Sequence, residues 1–202
     1  MKKLYENIED INIKGGVEHL SEMVRAMDIS LQNIADNTDR LVGYLIKYSA
    51  SNKGVQYEKV VKTSSYLRDE MFEASMELND MQNQIVEYQN KIYRYEDMAE
   101  SAQRPNPYLP VKRQISIDTS MVQFNRSDML NVVAALRNYS EIVFHHIKTI
   151  NEKKDSLAAV WRDTQYNDFA DFINEVTKNV IDAIKQFEDY VIYLEEKIKE
   201  LS

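Results

Sequence analysis

The sequence predicts an all-α protein of two long antiparallel helical hairpins, and three observations predict it. Apolar residues recur at alternating three- and four-residue steps through four long segments, which is the spacing of one face of an α-helix. Only four glycines and three prolines occur in 202 residues, and all the prolines fall between residues 105 and 110. We therefore expect a four-helix bundle or an elongated coiled-coil-like arrangement of two hairpins joined by a proline-containing linker.

The pattern divides the chain into four parts: a lead segment at residues 1–16, a first hairpin at 17–103, an extended linker at 104–126 and a second hairpin at 127–202. Two glycines end the lead segment and break any helix before the first long one. Gly43 lies inside the first helix, where glycine costs about 1 kcal/mol relative to alanine and indicates close helix packing. The linker is expected to be extended because each proline removes a backbone donor and restricts the residue before it.

The second helix is expected to be longer than the first. At 1.5 Å per residue, a helix over residues 55–100 would reach about 70 Å, against about 50 Å for the first. One stripe in the predicted overhang is formed by Ile85, Tyr88, Ile92 and Tyr95. It must be covered by the second hairpin, by another copy or by a different protein, since exposed apolar surface costs about 25 cal/mol per Å². We expect a partner helix there, because tyrosines suit surfaces that are alternately wet and buried.

The turn of the second hairpin holds the only tryptophan of the chain, Trp161, between two heptad-patterned segments. Asp163 and Thr164 are good N-caps for the returning helix, and Phe169 begins its apolar stripe. We expect the tryptophan to close the end of the hairpin. The first turn weakly resembles the second, with tyrosines and a glycine in similar places.

This arrangement resembles the Trp-X-Gly (WXG) family of small helical hairpins that type VII secretion systems export. In that family a Trp-X-Gly turn joins two helices, and an aromatic residue follows in the first turns of the second helix. Trp161 and Phe169 match the tryptophan and the aromatic residue, whereas Asp163 stands where the family has glycine. The resemblance covers residues 127–202 only. It implies a helical partner of similar shape and a Gram-positive-like secretion apparatus.

The resemblance also implies an export signal of the form Tyr-X-X-X-Asp/Glu on the second helix of a hairpin. On the predicted second helix two pairs match, Tyr66 with Glu70 and Tyr93 with Asp97, and with 13 tyrosines such pairs also arise by chance. The pair Tyr93 and Asp97 lies near the end of the first hairpin, where the family has its signal, so we take it as the candidate. Packing of Tyr93 against the linker is the alternative.

Several classes of function are not expected. The formal net charge of −8 disfavours nucleic acid as a partner. His145 and His146 point about 100° apart on a helix and cannot chelate one metal ion together, and no Glu-X-X-His spacing occurs. We find no glycine-rich phosphate loop and no catalytic constellation, so we expect no enzyme, no cofactor, no metal and no small-molecule substrate.

Localisation is constrained by two expectations. No segment has the roughly 18 apolar residues that a membrane span requires, and the first residues do not form a cleavable signal peptide. We therefore expect a protein that is cytoplasmic or exported without a cleavable signal.

The sequence thus predicts a non-enzymatic helical protein–protein interaction module, WXG-like and associated with type VII secretion as substrate, partner or targeting adaptor. Its partner would be another helical protein or a second copy of the chain. The alternatives are a cytoplasmic coiled-coil scaffold subunit of a larger assembly and a toxin-binding immunity or regulatory protein.

Overall fold

The computed structural model describes residues 12–13, 17–99, 101–105, 109–110 and 112–200. These residues form four helices: α1 (Glu18–Ser51), α2 (Val55–Tyr95), α3 (Arg126–Leu157) and α4 (Thr164–Glu200). No strand occurs among them, although two isolated β-bridges do. The predicted all-α fold of two helical hairpins is confirmed. The lead segment is described only at Asn12 and Ile13, so its two glycines lie outside the described residues.

The two hairpins pack together as a four-helix bundle. Helices α1 and α4 lie at opposite corners, and each packs against both α2 and α3. The most extensive contact joins α1 to α3, which run antiparallel because the start of α1 lies beside the end of α3. Glu22 is 3.6 Å from Lys153 at that end, and Thr38 is 2.8 Å from the hydroxyl of Tyr139 near the middle. Each helix therefore has antiparallel neighbours.

The core runs the length of the bundle and is made of the predicted heptad stripes. It includes Leu20, Met27, Ile34, Leu41, Leu67, Met71, Leu78, Leu136, Val143, Ile147, Ile173, Val180 and Ile184. Polar side chains on α2 tie this core to α1: the amide of Gln82 donates to the carbonyl of Val24, and that of Gln89 to the carbonyl of Val17. Such bonds satisfy buried polar groups and fix the pairing of the two helices.

Two local expectations are corrected. Gly43 is not a site of close packing, because a Cβ atom there would meet nothing within 4 Å. Helix α2 ends at Tyr95, about five residues earlier than expected. Asp97 adopts a left-handed conformation with φ of 54°, and the Met98 amide donates to the carbonyl of Tyr93 at 2.9 Å. This pattern is the Schellman termination, with aspartate in the place that glycine usually takes.

The described residues between α2 and α3, which include Ala102 and the described part of the linker, lie against α2 and run antiparallel to it. The Asn90 side chain exchanges two hydrogen bonds, of 2.7 and 3.0 Å, with the backbone of Ala102. Further along, Lys112 is 2.9 Å from Glu73, and the buried Arg68 donates to the carbonyl of Arg113. Basic linker residues thus meet acidic residues of α2. The extended linker returns the chain from the end of α2 to the start of α3.

The segment before each hairpin crosses the turn of the other hairpin. At one end of the bundle, the Arg162 amide donates to the carbonyl of Asn12 at 2.8 Å. At the other end, Lys53 and Gln123 exchange two backbone hydrogen bonds of 2.8 and 3.0 Å. Gly54 follows with φ of 121°, a conformation that side chains rarely adopt. The two hairpins therefore hold each other at both ends.

The contact between Arg68 and the linker gives a test of docking. A hydrogen bond from a charged group contributes about 1.5–3 kcal/mol, so Arg68→Met should raise the population of the detached linker by about tenfold or more. Tryptic cleavage after Lys112 and Arg113 should accelerate correspondingly, measured by mass spectrometry of timed digests. Lys62→Met, at an exposed position of α2, is the matched control and should cleave like the parent. Equal rates for all three proteins would contradict docking through Arg68.

Buried tyrosines give a second test, at alkaline pH. Burial raises the pKa of Tyr190 to about 12, opposed by a hydrogen bond to Thr63 and assisted by Tyr193, and burial also raises the pKa of Tyr48 and Tyr139. Because these pKa values are higher in the folded chain, their stabilising effect is complete below a pH of about 10 and is lost as pH rises through the folded values. The free energy of unfolding from urea titrations should therefore fall above a pH of about 10.

Tyr190→Phe should make that fall shallower, because one proton fewer is released on unfolding. Tyr95→Phe removes an exposed hydroxyl and serves as the control. A pH dependence that is identical in parent and Tyr190→Phe would show that Tyr190 ionises normally in the folded protein.

Candidate functional site at the Trp161 turn

The structure brings the three predicted turn residues together. Trp161 is 1 % exposed and Phe169 is fully buried, and their rings stack with centroids 5.4 Å apart. Tyr88 of α2 also stacks on the indole, at 5.3 Å. The aromatic cluster therefore joins the turn of the second hairpin to the last turns of α2. Tyr166 completes it, in an edge-on contact with the indole at 5.9 Å.

The carboxylate of Asp163 is the polar centre of this cluster. It is buried, and it accepts four hydrogen bonds. They come from the Trp161 indole nitrogen (2.7 Å), the Gln165 amide (3.0 Å), the Tyr88 hydroxyl (2.6 Å) and the Asn12 amide (3.3 Å). An ionised carboxylate has about four acceptor positions, so each finds a donor. Burial of the charge is thereby compensated, since an unpaired buried carboxylate would be strongly destabilising.

Local sequence explains how the turn forms. Helix α3 ends at Leu157, whose carbonyl accepts the Trp161 amide at 2.8 Å. Asp163 then caps α4 through the Gln165 amide, as the sequence predicts. Asp97 is the single non-glycine residue with positive φ in the described ranges, so Asp163 does not use the left-handed region that glycine favours. At the position of the family's glycine, this chain has a side chain that organises the turn.

The hydroxyl of Tyr88 donates a hydrogen bond to the Asp163 carboxylate in the turn. Burial, followed by the hydrogen bond and the charge of Asp163, raises the pKa of the Tyr88 hydroxyl well above the ordinary value. The phenol consequently stays protonated across the physiological range and keeps donating to the carboxylate.

The expected partner stripe on α2 is largely occupied from within the chain. Ile85, Tyr88 and Ile92 are 0–3 % exposed, whereas Tyr95 is 76 % exposed. The expectation of a free partner-binding stripe is therefore wrong for the three buried residues. The Trp161 turn of the second hairpin covers Tyr88 through the stacked indole and the Asp163 carboxylate. Helix α1 lies beside the same part of α2, because Gln89 donates to the carbonyl of Val17 and to the hydroxyl of Ser21.

The candidate export-signal residues do not share a helical face. Tyr93 is half-buried in the last turn of α2, and Asp97 lies past the helix end. The other match, Tyr66 with Glu70, lies inside α2 with Tyr66 57 % exposed. The charge of Glu70, and then its hydrogen bond, raises the pKa of the Tyr66 hydroxyl, as expected for adjacent side chains on one face.

The outer surface of the bundle has two notable grooves. The one between α1 and α3 has a cavity of about 360 Å³ that His145 and His146 help to line. Burial, and then the neighbouring His145, lowers the pKa of His146. Within the described residues no three His, Cys, Asp or Glu side chains are placed to hold one metal ion. The second groove, between α3 and α4, was not anticipated from the sequence.

Comparisons with protein families, with curated proteins and with solved structures find no match to this chain. None of the helices in the described ranges combines the length and the apolar character needed to cross a bilayer.

We expect the carboxylate of Asp163 and the hydroxyl of Tyr88 to be energetically coupled. Tyr88→Phe should lower the free energy of unfolding by about 2 kcal/mol, because it removes a buried hydrogen bond to a charged group. Asp163→Asn should cost about 3 kcal/mol, because its amide nitrogen would face donors. The two losses should be non-additive by about 1 kcal/mol or more in a double-mutant cycle measured by urea unfolding.

Tyr139→Phe is the matched control for this cycle. It also removes a buried hydroxyl, bonded to Thr38, but it lies about 27 Å along α3 from the turn. Combined with Asp163→Asn, it should be additive within about 0.5 kcal/mol. Additivity of the Tyr88 and Asp163 substitutions as well would mean that the carboxylate does not depend on Tyr88.

Proposed function

We propose that the protein is a non-enzymatic helical interaction module, WXG-like, which is associated with type VII secretion as substrate, partner or targeting adaptor. The observation that carries the proposal is the buried Trp161 turn with Phe169 packed on the indole. A tryptophan turn followed by an aromatic residue is the feature on which the family resemblance depends. Asp163 departs from the glycine of the family, and in this chain its carboxylate organises the turn.

The arrangement of the two hairpins gives a second support. The resemblance implies a helical partner of similar shape for the WXG-like hairpin. In this chain the first hairpin has that shape and packs along α3 and α4 through α1 and α2. The partner role is therefore supplied within the same chain, and the complete bundle, not an isolated hairpin, is the unit that a secretion apparatus or a further protein would recognise.

Export provides the test. A tagged copy is expressed in a host with a type VII apparatus and in the same host lacking the secretion ATPase. The protein should be found in the culture medium of the first strain and be retained in the cells of the second. A cytoplasmic marker protein, absent from both media, controls for lysis.

The carboxylate of Asp97 is tested in the same assay. Asp97→Asn removes the charge but keeps a residue that tolerates the left-handed helix end. We expect its export to fall by about tenfold or more if the pair with Tyr93 is the signal, while Glu96→Gln, a neighbouring exposed carboxylate, stays at the parent level. Normal export of Asp97→Asn with loss in Glu70→Gln would move the signal to Tyr66 and Glu70. Retention of the parent in both strains would contradict the proposal and favour a cytoplasmic scaffold.

A further inference from the structure

The groove between α3 and α4 is an open depression on the surface of the described residues. It has two cavities of about 390 and 270 Å³, and Arg137 lines both. Leu130 on one side of Arg137 is 46 % exposed, and Ile192 in the other cavity is 49 % exposed. Contiguous apolar surface that is rimmed by polar residues indicates a protein-binding site, whereas single exposed apolar side chains do not.

The charges of this groove are segregated. Arg137 donates two hydrogen bonds of 2.7 Å to the carboxylate of Glu195, and this pair divides the groove. The cavity toward the start of α3 is lined by the cations Arg126 and Lys199, and the other by Glu141 and Glu188. One end is therefore basic and the other acidic, with a neutral pair between them.

The apolar residues of α3 are symmetric about the same point. Leu130, Arg137 and Phe144 follow each other at seven-residue intervals and so share one helical face. Phe144 is 48 % exposed. At 1.5 Å per residue, Leu130 and Phe144 each lie about 10 Å from Arg137, in opposite directions.

We propose that this groove binds a second copy of the chain through a two-fold axis that crosses α3 near Arg137. Such an axis reverses the helix direction, so the basic end of one copy meets the acidic end of the other. Leu130 of one copy then lies opposite Phe144 of its partner, and the reverse contact occurs as well. A surface that is complementary to itself after reversal is what an isologous dimer requires.

The size of the groove limits the surface area that this association buries. From Arg126 to Phe144 the face is about 27 Å long, and two packed helices are about 20 Å wide, which gives about 540 Å² per copy. Stable interfaces bury about 800 Å² per partner, so we expect a reversible dimer with a dissociation constant in the micromolar range. The groove between α1 and α3 lacks this symmetry, since Arg25, Lys153 and Glu22 are mixed along it.

Charge exchange tests the proposal. The acidic end is reversed by Glu141→Lys with Glu188→Lys, and the basic end by Arg126→Glu with Lys199→Glu; all four side chains are exposed. Sedimentation velocity across micromolar concentrations should show dimerisation by the parent and a dissociation constant raised by about tenfold or more for each variant alone. An equimolar mixture of the two variants should form a heterodimer at least as tight as the parent dimer.

Asp36→Lys with Asp171→Lys changes the net charge as much as the acidic-end variant does, at exposed positions outside the groove, and should dimerise like the parent. Circular dichroism melts establish that each variant is folded. A parent that stays monomeric overturns the proposal, as does a mixture of the two variants that fails to associate. Binding of a different protein to the groove of a monomeric parent would likewise exclude a second copy as the occupant. The outcome is independent of export, so failure here leaves the secretion proposal intact.

Discussion

The buried carboxylate of Asp163 is the interaction on which the architecture depends. A charge removed from water is tolerated only when donors replace its hydration, and here the donors come from the lead segment, α2, the turn and α4. The lead segment and α2, both far from Asp163 in sequence, must therefore reach the turn before the charge is satisfied. Apolar packing alone would allow the helices to slide by a heptad, whereas a buried carboxylate with fixed partners selects one register.

At the opposite end of the bundle, the two hairpins are held together without a buried charge. There the turn at residues 52–54 pairs with the linker through backbone hydrogen bonds, and Asn52 accepts the Asn125 amide at 2.8 Å. Tyr57 stacks on Phe124 with centroids 5.6 Å apart. Each hairpin thus contributes an extended segment that crosses the turn of the other, which is how two subunits of a dimer often clasp each other. The two hairpins thus form a four-helix bundle within a single chain, without the association of two separate hairpins.

The fold was largely predictable because heptad spacing is a strong signal over segments of more than 30 residues. The residues that form the Trp161 turn could be predicted, but the residues that contact the turn could not. The spacing of Tyr88 is the same for a residue that donates to Asp163 and for one that binds a helix of another protein. The path of the linker was also hidden, because Asn90 and Arg68 are ordinary residues of an amphipathic helix. What binds them is the backbone of the linker, which carries no sequence signal. Side-chain pairs separated by 75 residues, such as Tyr88 with Asp163, are set by the packing of whole helices.

The prediction of a partner-binding stripe on α2 was wrong for its buried residues because it compared the length of α2 with that of α1 alone. Helix α2 has 41 residues and α1 has 34, so an overhang is inevitable if these two are considered alone. In the structure α1 reaches along α2 as far as Gln89, and the turn before α4 contacts Tyr88 through Trp161 and Asp163. With these residues of α2 buried, large apolar side chains remain exposed on helix faces that the pairing of the four helices does not cover. The face of α3 and α4 that carries Leu130, Phe144 and Ile192 is such a face, and its basic and acidic residues lie at opposite ends of it.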